Sequence, residues 1–145
     1  MLRRVLGAGL RVAGAVRPAR RFCAFQPVFS ELRPQLVPGN EAETAEGLNR
    51  LISEHPVVLF MKGSPDQPQC GYSRLASALL QHYKVRKFVF VNINEDAELK
   101  EAVKRFSDWP TFPQLYLNGA LLGGSDILME LHKNNELAAK LKEFA

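Results

Sequence analysis

The chain has 145 residues, 46% of them hydrophobic and 23% charged, which suits one globular domain with enough apolar material for a core. No run approaches roughly 18 apolar residues, so no membrane-spanning helix is implied. The net charge of +4 is unevenly placed: residues 1–30 hold six arginines and no acid, the remainder sums to −2, and the basic balance does not point to nucleic acid.

The N-terminus reads as an address. Wound at about 100° per residue, Leu2, Val5, Leu6, Leu10, Val12 and Val16 fall on one side of a helix, and Arg3, Arg4 and Arg11 on the other. An Arg-rich, acid-free amphipathic start is the pattern of a mitochondrial transit peptide, here residues 1–22, with "RRFCAF" resembling a cleavage site after Phe22. The other reading is a basic amphipathic helix retained for membrane contact. Residues 23–40 hold three prolines and little periodicity, which predicts a linker or disordered arm carrying an incidental Cys23. The folded domain, 41–145, then has a single cysteine and no internal disulfide.

Within that domain, Ala45, Leu48, Leu51 and Ile52 are spaced for a helix. "PVVLFMKG" (56–63) suits a buried strand closed by Gly63. A loop with Pro65 and Pro68 leads to Cys70, and a helix with Leu75, Ala78, Leu79 and Tyr83 on one face follows. "KFVFVNI" (87–93) is a strand, and 96–107 a helix capped by Asp96 or Asn94. Two β-prone runs flank Asn118-Gly119, the dipeptide of a type I′ hairpin. Asp126 is expected to cap the next helix, and "NNELAAKLKEF" is the last. Strands alternating with helices predict an α/β fold with a mixed sheet.

Cys70 follows a buried strand and opens a helix. The free peptide N–H groups and the helix dipole there favour thiolate over thiol. Lys62, at the end of the strand, adds positive charge. A buried structural cysteine is the alternative, but Gly71, Tyr72 and two prolines are poor core surroundings. "WPTFPQ" puts Pro113 just before a strand; a cis bond would expose the Phe112 backbone to an extended ligand, and a trans proline at a strand start is the competing reading. "GGSD" (123–126) lets a backbone approach closely and leads into a helix start able to hold a carboxylate, or is a plain turn.

Lys62, seven residues, then "CGYS"; "WPTFPQLYLNG"; and "GGSDI": this set resembles the monothiol glutaredoxins with a CGFS active site, and with the presequence most resembles the mitochondrial members of that family. The resemblance covers roughly residues 42–145. It implies a thioredoxin fold with a four-stranded mixed sheet flanked by helices, a cis-Pro113, and residence in the mitochondrial matrix. It implies glutathione as a partner. Lys62 and Lys100 would meet the glycyl carboxylate, Thr111 would line the groove, and Phe112 would offer its main chain. Gly124, Ser125 and Asp126 would hold the γ-glutamyl end.

Two functions are compatible with the resemblance. In the first, the protein carries an iron–sulfur cluster. A [2Fe–2S] unit takes four thiolates; the resemblance implies two from Cys70 of a homodimer and two from glutathione. Iron–sulfur assembly proteins, an Hsp70-type chaperone and BolA-like proteins are the implied partners. In the second, Cys70 removes glutathione from glutathionylated proteins, with a low-pKa thiolate suited to attack. A redox-inert binding module is the third reading. Two residues depart from the family's pattern: Tyr72 replaces the usual Phe, and Ser125 stands where many members have a second cysteine, so a disulfide switch with Cys70 is lost. His55, His82 and His132 fit no metal-ligand spacing in the sequence. Trp109 is expected in the core or the groove wall.

Overall fold

The computed structural model of the chain describes residues 28–34 and 36–145. The proposed presequence and Cys23 lie outside those residues.

A five-stranded mixed sheet runs through the domain, in the order β1-β3-β2-β4-β5. Its strands are β1 (Val28–Glu31), β2 (Val57–Met61), β3 (Lys87–Asn92), β4 (Gln114–Leu117) and β5 (Ala120–Gly123). The helices are α1 (Glu41–Glu54), α2 (Gly71–His82), α3 (Ala97–Ser107), α4 (Ser125–Lys133) and α5 (Glu136–Leu141), with a 3-10 turn at Lys142–Phe144. β1 and β2 both pair in parallel with β3, whereas β4 runs antiparallel to β2 and β5 antiparallel to β4. No described helix is long and apolar enough to cross a membrane.

β2 is buried along its whole length, because both faces of the sheet are covered. Val57, Leu59 and Met61 point into one core with Leu79, Leu80, Leu128 and Leu137 from α2, α4 and α5. Val58 and Phe60 point into the other, with Leu48 and Ile52 of α1 and Leu99 and Val103 of α3. The hairpin turns at Asn118 (φ 48°) and Gly119 (φ 82°), the paired left-handed residues that a type I′ turn requires.

Three expectations are corrected. The sheet has five strands, not four. The extra one, β1, lies inside the stretch 23–40 expected to be a linker or disordered arm. It hydrogen-bonds along β3 and partly buries one ring, with Phe29 5.5 Å from Phe88 and 5.8 Å from Phe90. On the expected face of α2, Leu79 is buried and Leu75 and Tyr83 pack partly buried against the core, but Ala78 is exposed, and Ser73, Ala76, Ser77 and Leu80 are buried besides. Asp126 does not cap α4; Gly124 holds the N-cap position and Asp126 sits in the first turn. Asp96 does cap α3, accepting from the backbone N–H groups of Glu98 and Leu99 at 2.8 and 3.2 Å.

Candidate functional site

The C-terminal end of β2, the start of α2 and the loop before β4 converge, which places Lys62, Cys70 and the Phe112-Pro113 peptide side by side. That peptide is cis. A groove of ≈ 480 Å3 runs there, lined by Lys62, Cys70, Lys100, Thr111, Phe112, Ser125 and Asp126 from the expected set, and by Tyr72, Lys104 and Pro110 besides. Pro113 and Gly124, also expected at the site, are not in its lining but adjoin each other: a methyl group on Gly124 would come within 3.3 Å of the Pro113 carbonyl oxygen and of Trp109 Nε1. Grooves of ≈ 550 and ≈ 830 Å3 lie elsewhere, but neither is lined by a thiol, so chemistry rather than volume picks out the smaller one.

Cys70 is the N-cap residue of α2 and is half-buried. The backbone N–H of Ser73 holds its thiol below the ordinary value. Partial burial opposes that shift, and the N–H of Tyr72 and the charge of Lys62 support it. This is the thiolate stabilisation expected of a helix start. Alkylation by iodoacetamide, followed against pH, should therefore rise through an inflection below that of an ordinary thiol and then level off. Lys62→Gln should move the inflection upward. An inflection at the free-cysteine position, about 8.5, would contradict the assignment.

The loop delivering Cys70 is tightly tied. Gln69 N–H donates to the Lys62 carbonyl at 2.9 Å, Gly63 N–H to Asn92 Oδ1 at 2.9 Å, and Asn94 Nδ2 to Gln69 Oε1 at 2.6 Å. Ser73, where a second cysteine of a dithiol pair would stand, is fully buried. Its Oγ accepts from the Lys62 N–H at 3.0 Å. Its hydroxyl faces the end of β2, not the groove, and joins helix to strand.

On the far wall, Gln114 is fully buried and its Nε2 donates to the carbonyls of Trp109 and Thr111 at 3.1 and 3.2 Å, shaping the loop that presents Phe112. Lys104, one helical turn after Lys100, points into the same groove while its Nζ meets Glu101 at 2.8 Å. With Lys104 paired to Glu101, Lys62 and Lys100 still outnumber the one carboxylate that lines the groove, that of Asp126, so the groove favours an anionic ligand. Lys104 could have been read from its i+4 spacing to Lys100. Gln114 could not, because its partners are backbone carbonyls. Of the two exposed large apolar residues among those described, one, Tyr72, stands beside Cys70 with 61% of its surface open.

Among the described residues no group of three or more His, Cys, Asp or Glu gathers to ligate a metal. The groove supplies one thiol with open space beside it. That donor set fits a cluster shared with other thiols and does not fit one enclosed by a single chain.

A family profile described as Glutaredoxin matches residues 57–122. The chain is 39% identical over 142 residues to a mitochondrial monothiol glutaredoxin of Arabidopsis thaliana, covering 97% of this chain and 83% of that protein. It is 48% identical over 103 residues to a mitochondrial monothiol glutaredoxin of Schizosaccharomyces pombe, covering 70% of each. Among solved structures, a reduced apo glutaredoxin from poplar superposes with a TM-score of 0.59 at 42% identity, covering 68% of this chain and 89% of that one.

Proposed function

Because the chain belongs to the glutaredoxin family, as one of its mitochondrial monothiol members, we propose that it carries a [2Fe–2S] cluster held jointly by Cys70 and glutathione. The observation that supports this is the lone thiol at the start of α2, its pKa lowered, in a lysine-lined groove, with buried Ser73 in the position of a second cysteine. One thiolate cannot close a disulfide within the domain, so it stays free to ligate metal.

Glutathione carries a carboxylate at each end and a thiol between. Lys62, Lys100 and Lys104 suit the glycyl end, and the open N–H groups at the start of α4, beside Ser125 and Asp126, suit the γ-glutamyl end. The Phe112 backbone lies between them. Bound in that way, the tripeptide brings its thiol to Cys70. Two such half-sites facing each other supply four thiolates to one cluster. Half of the ligands come from small molecules, so the cluster can leave without unfolding either chain, as a carrier requires. Iron–sulfur assembly proteins, an Hsp70-type chaperone and BolA-like proteins are the partners this role implies, in the mitochondrial matrix.

The test is an anaerobic visible spectrum with native mass of the protein loaded with iron and sulfide, with and without glutathione. A brown dimer that forms only with glutathione is the expected result. A colourless monomer that still removes glutathione from glutathionylated protein would replace the carrier role with a thiol oxidoreductase.

A further inference from the structure

The sheet ends at β5, and the outer side of that strand pairs with nothing among the described residues. The ≈ 830 Å3 groove runs along it and takes in both faces of the sheet. Leu122 lies on the face covered by α5, together with Ala139, Lys140 and Lys142, and Leu121 lies on the opposite face. We propose that the free edge of β5 is a docking surface that takes an extended acidic segment of a partner protein as a sixth strand.

Three physical arguments meet here. The first is hydrogen bonding. Leu117 and Ala120 close the hairpin, and Tyr116 faces Leu121. Antiparallel pairing turns backbone groups inward and outward by turns, so the N–H and C=O of Leu121 point away from β4. No other segment among those described bonds to them. An added strand supplies their partners. The second is side-chain alternation. A strand presents successive residues to opposite faces. One face of the added strand would lie over half-buried Leu121, and the other would look toward exposed Lys140 and Lys142. The fitting sequence therefore alternates apolar and acidic residues. The third is charge. Glu143, the one carboxylate in the groove lining, accepts from Asn118 Nδ2 at 2.9 Å, and neither lysine is ion-paired among the described residues. The same lysines oppose a second copy of the chain, because pairing β5 with β5 would crowd two from each copy. The edge is also irregular: Leu115 faces Gly123, which leaves Leu122 as the extra residue of a bulge. Lysines and a bulge are how an edge resists its own kind, and here they leave it open to a strand of opposite charge.

The test uses the full chain under reducing conditions and a fluorescein-labelled peptide of sequence EVEVEV, read by anisotropy and by amide hydrogen exchange. Saturable binding that slows exchange of the Leu121 amide is expected. Lys140→Glu combined with Lys142→Glu should weaken binding at least about tenfold. The peptide EEEVVV, with the same charge but no alternation, should also bind at least about tenfold more weakly. Leu121→Pro removes the outward N–H at an edge position that admits proline, and should abolish binding; if that variant misfolds, Leu121 exchange in the parent decides. Equal binding of EEEVVV, or binding that leaves Leu121 exchange unchanged, would overturn the proposal, and is what attraction to the six arginines of residues 1–30 would produce. A peptide-free dimer in which Leu121 already exchanges slowly would overturn it in favour of a second copy.

Discussion

Cys70→Ser is expected to abolish the brown, glutathione-dependent dimer entirely while leaving the melting temperature unchanged or slightly raised. The two outcomes separate because Cys70 contributes to chemistry and not to packing. It is half-buried, its sulfur meets only the Ser73 and Tyr72 N–H groups of the first turn, and it belongs to neither core cluster. Serine is the stronger N-cap residue, since its oxygen accepts from the free N–H groups of the first turn, so the helix loses nothing. Each dimer loses two of four thiolates, and a cluster left with two does not persist. Noncovalent glutathione binding should fall far less, because Lys62, Lys100 and the start of α4 are untouched. A Cys70→Ser protein that still colours with iron, sulfide and glutathione would remove Cys70 from the ligand set.

Gly63→Val is expected to lower the melting temperature by several degrees and to slow alkylation of Cys70 in the molecules that fold. Gly63 sits at φ +87°, in the left-handed region that a branched side chain avoids. Its Cβ would lie 2.4 Å from the Gln67 carbonyl oxygen and 2.8 Å from the Gln69 nitrogen. Both are backbone atoms of the loop that ends at Cys70, so the collision cannot be relieved by turning a side chain. Backbone strain alone costs about 1–3 kcal/mol. Displacing the loop adds loss of the Gly63–Asn92 and Gln69–Lys62 hydrogen bonds, at roughly 1 kcal/mol each. The thiol would also move relative to the Ser73 and Tyr72 N–H groups that stabilise its ionised form. A variant that melts within a degree of the parent and alkylates at the same rate would show that the loop is not seated on Gly63.

The alternation of helix and strand was legible because each element carries its own signal: continuous apolar residues in β2, 3.6-residue spacing in α1, and a capping Asp96 ahead of α3. The hairpin was legible because Asn118-Gly119 has few other conformations to adopt. β1 was not. It is four residues long, lies between two prolines, and sends only Phe29 toward the core, so it has no pattern until β3 is in place beside it. Ala78 alone falls off the expected α2 face, because two positions buried in its stead, Ser73 and Ser77, are polar. Ser73 Oγ accepts from the Lys62 N–H at the end of β2 and Ser77 Oγ donates to the Arg74 carbonyl, partners that hydrophobic spacing does not register. The site divides in the same way. Cys70, Lys62 and the loop at Pro113 announce themselves by residue type. The part played by Gln114 exists only through tertiary contacts.

The placement of β1 bears on how the protein behaves in a tube. β1 covers the outer edge of β3, whose sequence KFVFVN joins β-branched and aromatic residues without a proline. A chain trimmed to begin near Asn40 would leave that edge open, a template on which another trimmed chain can lay its own β3. Such trimmed material would aggregate on storage and form colourless dimers by strand pairing, counterfeiting in any sizing experiment the association attributed to the cluster.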